Sequence, residues 1–169
     1  MLTTETILKL FNALNDKLAA KEVIGEVGIC GGAVMCLVFK AREATKDVDG
    51  IFEPTQEIRD ASAAVAKEMG VPLDWLNDAA KGYFLSTPPV VDVLNLSNLR
   101  VWAPTAQYML AMKCTSARFD SHDADDMKFL IDHLGLKQPE DVLKLVESFY
   151  PRHIVPAKTQ FFIEEVFEC

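Results

Sequence analysis

The chain has 169 residues, 50% hydrophobic and 25% charged, the composition of one globular domain long enough to bury a sizeable core. A formal charge of −8 counts against a broad basic surface for nucleic acid, while leaving room for a small basic pocket or a brief encounter with an RNA end. No apolar run reaches the roughly 18 residues of a membrane span. The N-terminal Met1-Leu2-Thr3-Thr4-Glu5-Thr6 lacks the basic-then-apolar order of a secretory signal. The expected setting is therefore cytoplasmic with no membrane partner, and the sequon Asn95-Leu96-Ser97 is expected to be coincidental.

Ile7, Leu8, Phe11, Leu14 and Leu18 recur at helical spacing, which predicts an amphipathic helix from Thr4 to about Lys21 with Thr4 as its N-cap. Val23 to Ile29 is β-branched and glycine-bounded, a strand. Gly31 to Lys40 follows a glycine doublet and is expected to be helical. Asp47 to Phe52 is the second strand, ended by Pro54. Glu57 to Met69 carries Ile58, Ala61, Val65 and Met69 on one side of a helix that Gly70 and Pro72 stop.

From Trp75-Leu76-Asn77 to Pro88-Pro89 the expectation is an irregular segment. Val90 to Leu96 and Leu99 to Trp102 predict two further strands. Pro104 is expected to open a mostly apolar helix to about Ala117. Met127, Leu130, Ile131 and Leu134 form a helical stripe closed by Gly135. Pro139-Glu140-Asp141 opens another helix with Val142, Leu143, Val146 and Phe149 as its buried face, and Thr159 to Phe167 is a last short one. The outcome is an α+β chain treated as a single domain over 1–169: a small mixed sheet flanked by helices over 1–102, then a helical part over 103–169.

Within this frame the run Lys46-Asp47-Val48-Asp49-Gly50-Ile51-Phe52 carries the most chemistry. Side chains two apart on a strand share a face. Two carboxylates held together there call for a cation, and hard oxygen ligands suit Mg²⁺ bound through one or two carboxylates plus substrate phosphates. Gly31-Gly32, opening a helix upstream, is a place where phosphates can lie against backbone N–H groups. Lys113 is a compact cation inside an apolar helix and a phosphate partner; burying it would require an anion nearby. Asp92, on the face of its strand shared with Val90, Leu94 and Leu96, is the candidate for a third carboxylate.

The order Gly31-Gly32, helix, Asp47-x-Asp49 on a strand resembles the nucleotidyltransferase superfamily that includes DNA polymerase β. Arg42 and Thr45 before the pair extend the likeness. So does the block Tyr108-Met109-Leu110-Ala111-Met112-Lys113, followed by Ala117-Arg118, Asp123 and Asp125-Asp126. These are similar to segments of small bacterial nucleotidyltransferase-like proteins of the AbiEii toxin type, over about Val27 to Phe162. The resemblance implies a polymerase β-like core and Mg²⁺-dependent transfer of an NMP from an NTP. It implies Asp47 and Asp49 as catalytic metal ligands, while the segment around Asp92, the candidate third catalytic carboxylate, departs from the polymerase β-like pattern. Gly31, Gly32, Arg42, Lys46, Lys113, Asp123 and Asp126 would lie about the nucleotide. The implied acceptor is a tRNA 3′ end or a protein, and the implied partner an antitoxin.

Plainer readings stand beside these. Asp47 and Asp49 could be a solvated strand edge, Gly31-Gly32 a tight turn, Lys113 a snorkelling side chain, and Arg42 and Lys46 surface charges. Asp123 and Asp126 could serve the start of their helix, with Ser121 or Asp123 as N-cap. The whole chain could be an idle nucleotide- or partner-binding module of the same fold, or a structural interaction domain. The four cysteines and three histidines lack zinc-ligand spacing. Cys30 has no histidine near it in sequence to activate it as a nucleophile. Gly31-Gly32 has no Gly-Lys-Ser/Thr sequel, which excludes a P-loop.

Overall fold

The computed structural model describes residues 1–85, 87–116 and 121–168, residue 121 through its backbone alone. Contacts divide the chain into two compact units: Met1–Gly82 with Val90–Ala103, and Tyr83–Pro89 with Pro104–Cys169. The architecture is mixed α+β, with a small mixed sheet and flanking helices in the first unit and helices in the second.

In the first unit, β1 (Leu2–Thr3) leads directly into α1 (Thr4–Ala20), which buries Ile7, Leu10, Phe11, Leu14 and Leu18. The cap is Thr3 rather than Thr4: Thr3 is extended, and its hydroxyl accepts from the Thr6 N–H at 3.2 Å. Thr4 instead donates its hydroxyl to the Cys36 carbonyl at 3.2 Å. Next come β2 (Gly25–Cys30) and α2 (Gly32–Leu37), followed by β3 (Ala44–Thr45), which pairs antiparallel with β1. The expected helix over Gly31–Lys40 is thus shorter, six residues, and wholly apolar.

β4 (Val48–Glu53) runs antiparallel to β2 and leads into α3 (Thr55–Met69), which ends at Gly70 as expected. Trp75-Leu76-Asn77 is not merely irregular. Leu76–Asn77 forms β5, parallel to β4, a strand too short to leave an alternation in the sequence. β6 (Val90–Asn95) and β7 (Leu99–Pro104) complete a five-stranded sheet in the order β5-β4-β2-β7-β6, with β7 parallel to β2. Pro104 closes β7 and does not open a helix. Thr105 makes the turn, its N–H donating to the Pro89 carbonyl and its hydroxyl accepting from the Tyr108 N–H.

In the second unit, α4 (Ala106–Ser116) buries seven consecutive residues from Tyr108 to Cys114. A helix covered on every side is the centre of its unit. α5 (Ser121–His133), α6 (Pro139–Phe149) and α7 (Ala157–Glu168) pack around it. Val142 and Val146 are buried in α6 as expected, whereas Leu143 and Phe149 are only half-buried. Tyr108 and Tyr150 stack at 6.1 Å, and both reach the Tyr83–Pro89 segment: Tyr150 donates to the Tyr83 carbonyl at 2.7 Å, and the Tyr108 hydroxyl accepts from the Leu85 N–H at 2.7 Å.

Candidate functional site

The alternation of β4 decides what its acidic residues face. Val48, Gly50 and Phe52 are buried, and Asp49 and Ile51 between them are half-exposed. Asp47, half-exposed as well, lies one residue before the strand begins and not within it. Period two nevertheless turns Asp47 and Asp49 away from the core that Val48 enters.

Asp49 sits in the middle of three strands. It is in register with Cys30 of β2 on one side and with Asn77 of β5 on the other. The Cys30 thiol lies 3.6 Å from the Asp49 carbonyl, so Cys30 is a buried residue of the strand end. Because Gly31 follows Cys30 directly, the register brings the glycine doublet to Asp49. A Cβ at Gly31 would stand 3.6 Å from Asp49 Oδ2. The backbone there, φ 62 and ψ −140, lies in a region that only glycine adopts without strain.

Gly32 is required for a different reason. A Cβ at Gly32 would collide with the Thr45 hydroxyl and lie 3.3 Å from Arg42 Nη1. Gly31, Gly32, Arg42, Thr45 and Asp49 are therefore gathered at one end of the sheet. Gly32 and Ala33, as the first residues of α2, have N–H groups with no carbonyl of that helix to bond. Lys46 is exposed, beside the group in sequence. Asn77 joins from β5, its amide Nδ2 donating to Asp47 Oδ2 at 3.4 Å. Sequence reasoning missed Asn77, because its place depends on a two-residue strand.

Asp92 is not brought to this end. It is exposed on β6, with β2 and β7 lying between it and β4, and pairs with Arg100 at 3.0 Å. Arg100 is in register with Glu26, whereas Asp49 is in register with Cys30 at the other end of β2. Three strand spacings alone set Asp92 roughly 14 Å from the Asp49 strand. Nor is Asp92 buried on its face: Val90 is 41% exposed, Leu94 and Leu96 are only half-buried, and the carboxylate meets a guanidinium. That guanidinium is held above its usual pKa, first by the hydrogen bond to Asp92 and then by its charge.

The second unit holds a different cluster. Lys113 on α4 is buried and forms ion pairs with Asp123 and Asp126 of α5, each at 2.7 Å. The anion that a buried lysine needs is thus supplied by the protein, and Lys113 does not snorkel to solvent. Asp126 is itself buried at 3% exposure, while Asp123, in the first turn of α5, is more accessible. Asp125 is exposed, and Ala117 and Arg118 lie outside the described residues.

The described cysteines, Cys30, Cys36 and Cys114, are buried and form no disulfide. Burial pushes the Cys114 thiol up to about 12, which makes it unreactive at neutral pH. Among the described residues no three His, Cys, Asp or Glu side chains converge as a ready metal cluster, and no helix is long and apolar enough to cross a membrane. No protein-family model matches the chain, and no curated protein or solved structure matches it either.

Proposed function

We propose that the chain is a metal-dependent nucleotidyltransferase that moves an NMP from an NTP to an acceptor, with its chemistry at the Asp47–Asp49 end of the sheet. The observation that carries this reading is the register of β2 and β4. It sets the glycine doublet, whose Gly31 holds a positive φ that a side chain would strain, against the Asp49 carboxylate. The donors there are hard oxygens, the set that Mg²⁺ prefers. When bound, Mg²⁺ would neutralise phosphate charge and align the reacting groups.

The chain's own residues supply the rest. Asp47 and Asp49 would hold the metal from the half-exposed face of β4. The backbone at Gly31 and Gly32 would allow close approach of the triphosphate. Arg42, beside Gly32, would offer a planar donor fork to a phosphate. Lys113 has no part in this reading, since Asp123 and Asp126 already answer its charge. For the acceptor, the −8 charge favours a protein side chain over an RNA end, although the family likeness points to a tRNA 3′ end and to a cognate antitoxin.

An idle binding module of the same fold is the second reading, and a specific observation favours it. Asp92, the candidate third carboxylate, is paired with Arg100 at the far end of β2's neighbour strand. Label transfer separates the two. Purified protein is incubated with Mg²⁺ and each α-labelled NTP in turn, with total RNA and cell extract as acceptors, alongside Asp49→Asn. Label entering RNA or protein only with intact Asp49 supports the enzyme and identifies acceptor and base preference together. NTP binding without transfer supports the idle module, and neither sinks both.

A further inference from the structure

We infer that Asn77 is a positioning residue for Asp47, its amide fixing the carboxylate that would hold the metal. This role rests on the nucleotidyltransferase reading and adds a residue to it that no sequence motif marks. Asn77 lies beside Asp49 in the β4–β5 register, and its Nδ2 donates to Asp47 Oδ2 at 3.4 Å. One short strand thus touches both acidic residues, Asp49 through the ladder and Asp47 through the side chain.

The amide has one sensible orientation. Its Oδ1 accepts from the Ala79 N–H at 3.1 Å, which leaves the NH₂ group facing Asp47 and the Asp74 carbonyl. The flipped amide would set a carbonyl oxygen against a carboxylate and an NH₂ against an N–H. The strand that carries it is anchored on both flanks. Trp75 is 1% exposed, donates its indole N–H to the Ser62 carbonyl at 3.0 Å and meets Phe11 edge-on at 5.9 Å. Leu76 is buried, Asp78 pairs with Arg59 at 2.7 Å, and the Trp75 carbonyl accepts from the Val48 N–H at 2.6 Å. Four consecutive residues are therefore fixed, which is more than a two-residue strand needs for itself.

The residue type suits the task. Among the described residues Asp47 makes no ion pair, and a neutral amide can orient its carboxylate without cancelling the charge a divalent ion requires. A lysine or arginine at position 77 would compete with that ion. Neighbours that orient metal ligands typically contribute 10–100-fold to affinity.

The test uses Mn²⁺ as probe and the full chain. Free Mn²⁺ is followed by electron paramagnetic resonance for the wild type, Asn77→Ala and Asp49→Asn, with the urea midpoint of each as a check on folding. Asn77→Ala is expected to weaken Mn²⁺ binding about 10-fold at an unchanged midpoint. In parallel, the Asn77 side-chain NH₂ resonances of the metal-free protein are expected to move in Asp47→Asn and, in the wild type, to broaden with trace Mn²⁺. Mn²⁺ affinity of Asn77→Ala equal to wild type overturns the role. So do NH₂ resonances indifferent to Asp47→Asn, a result that stands even if Asn77→Ala fails to fold. Wild type that binds no Mn²⁺ while the NH₂ resonances still respond to Asp47→Asn would refute the metal reading and reduce the Asn77 bond to a structural contact.

Discussion

Two groups of carboxylates in this chain are treated in opposite ways. Asp123 and Asp126 close on a buried lysine, so their charge is answered inside the protein. Asp47 stays half-exposed and meets a neutral amide, next to an Asp49 whose face is also half-exposed. The first arrangement converts charge into a cross-link between α4 and α5, and its cost of desolvation is tolerable only because both partners are present. The second keeps Asp47 half-exposed at the end of a sheet, oriented by a hydrogen bond from Asn77. The Lys113 cluster serves the fold, whereas Asp47, oriented by an amide at a half-exposed position, is placed where a ligand can reach it.

Exchanging the two treatments by mutation sharpens this contrast. Asp49→Asn should lower nucleotidyl transfer by roughly 10³-fold, the scale of losing one group that stabilises charge in a transition state. Its urea midpoint should fall by less than that of Lys113→Met, because the side chain is half-exposed and asparagine keeps its size. Lys113→Met should do the reverse first. Leaving Asp126 buried without its cation should cost about 3–5 kcal/mol in urea unfolding. Asp126→Asn added to Lys113→Met should recover part of that loss. If Lys113→Met unfolds at the wild-type midpoint, the cluster is not the cross-link described, and the contrast between the two units falls.

Gly31→Ala should have an intermediate effect, about 1–3 kcal/mol from forcing an alanine to φ 62 and ψ −140. It should also weaken NTP binding, since the new Cβ faces Asp49 Oδ2. A denaturation curve and a binding titration on the same protein check both. The smallest effect belongs to Asp92→Asn. This exposed residue pairs with Arg100 at the other end of β2, so transfer activity should be unchanged. A clear loss of transfer in Asp92→Asn would mean that the sequence expectation for a third carboxylate has more behind it than the register shows.

How much of this was legible beforehand depended on whether a residue's role is local. Gly31-Gly32 and the Asp pair were visible because each is a compact motif on an element with its own periodicity. The strand and helix order followed for the same reason. Thr3 and Thr4 could not be told apart as caps, because both hydroxyls are of the right type and only the pairing of Leu2–Thr3 with β3, where Thr3 is extended, separates them. Pro104 reads as a helix opener by type, yet β7 extends through it and Thr105 makes the turn.

Asn77 was invisible because its function depends on a parallel pairing across a gap of nearly thirty positions, carried by a strand with no pattern of its own. Asp92 misled for a related reason. An aspartate among apolar residues suggests burial, but β6 is the outermost strand of the sheet and Arg100 sits opposite. A lysine inside an apolar helix needs an anion by residue type alone. What the sequence left open was whether that anion is a phosphate or the protein's own carboxylates, and in the structure Asp123 and Asp126 both reach it.

The most direct test is a crystal of the wild-type chain grown with Mn²⁺ and an NTP whose α–β bridge cannot be cleaved, analysed by its anomalous signal. The account predicts a manganese peak bonded to the Asp47 and Asp49 carboxylates, with the triphosphate against Gly31 and Gly32 and the Lys113 ion pairs intact. A peak at Asp123 and Asp126, or none at Asp47 and Asp49 with nucleotide bound elsewhere, would contradict it.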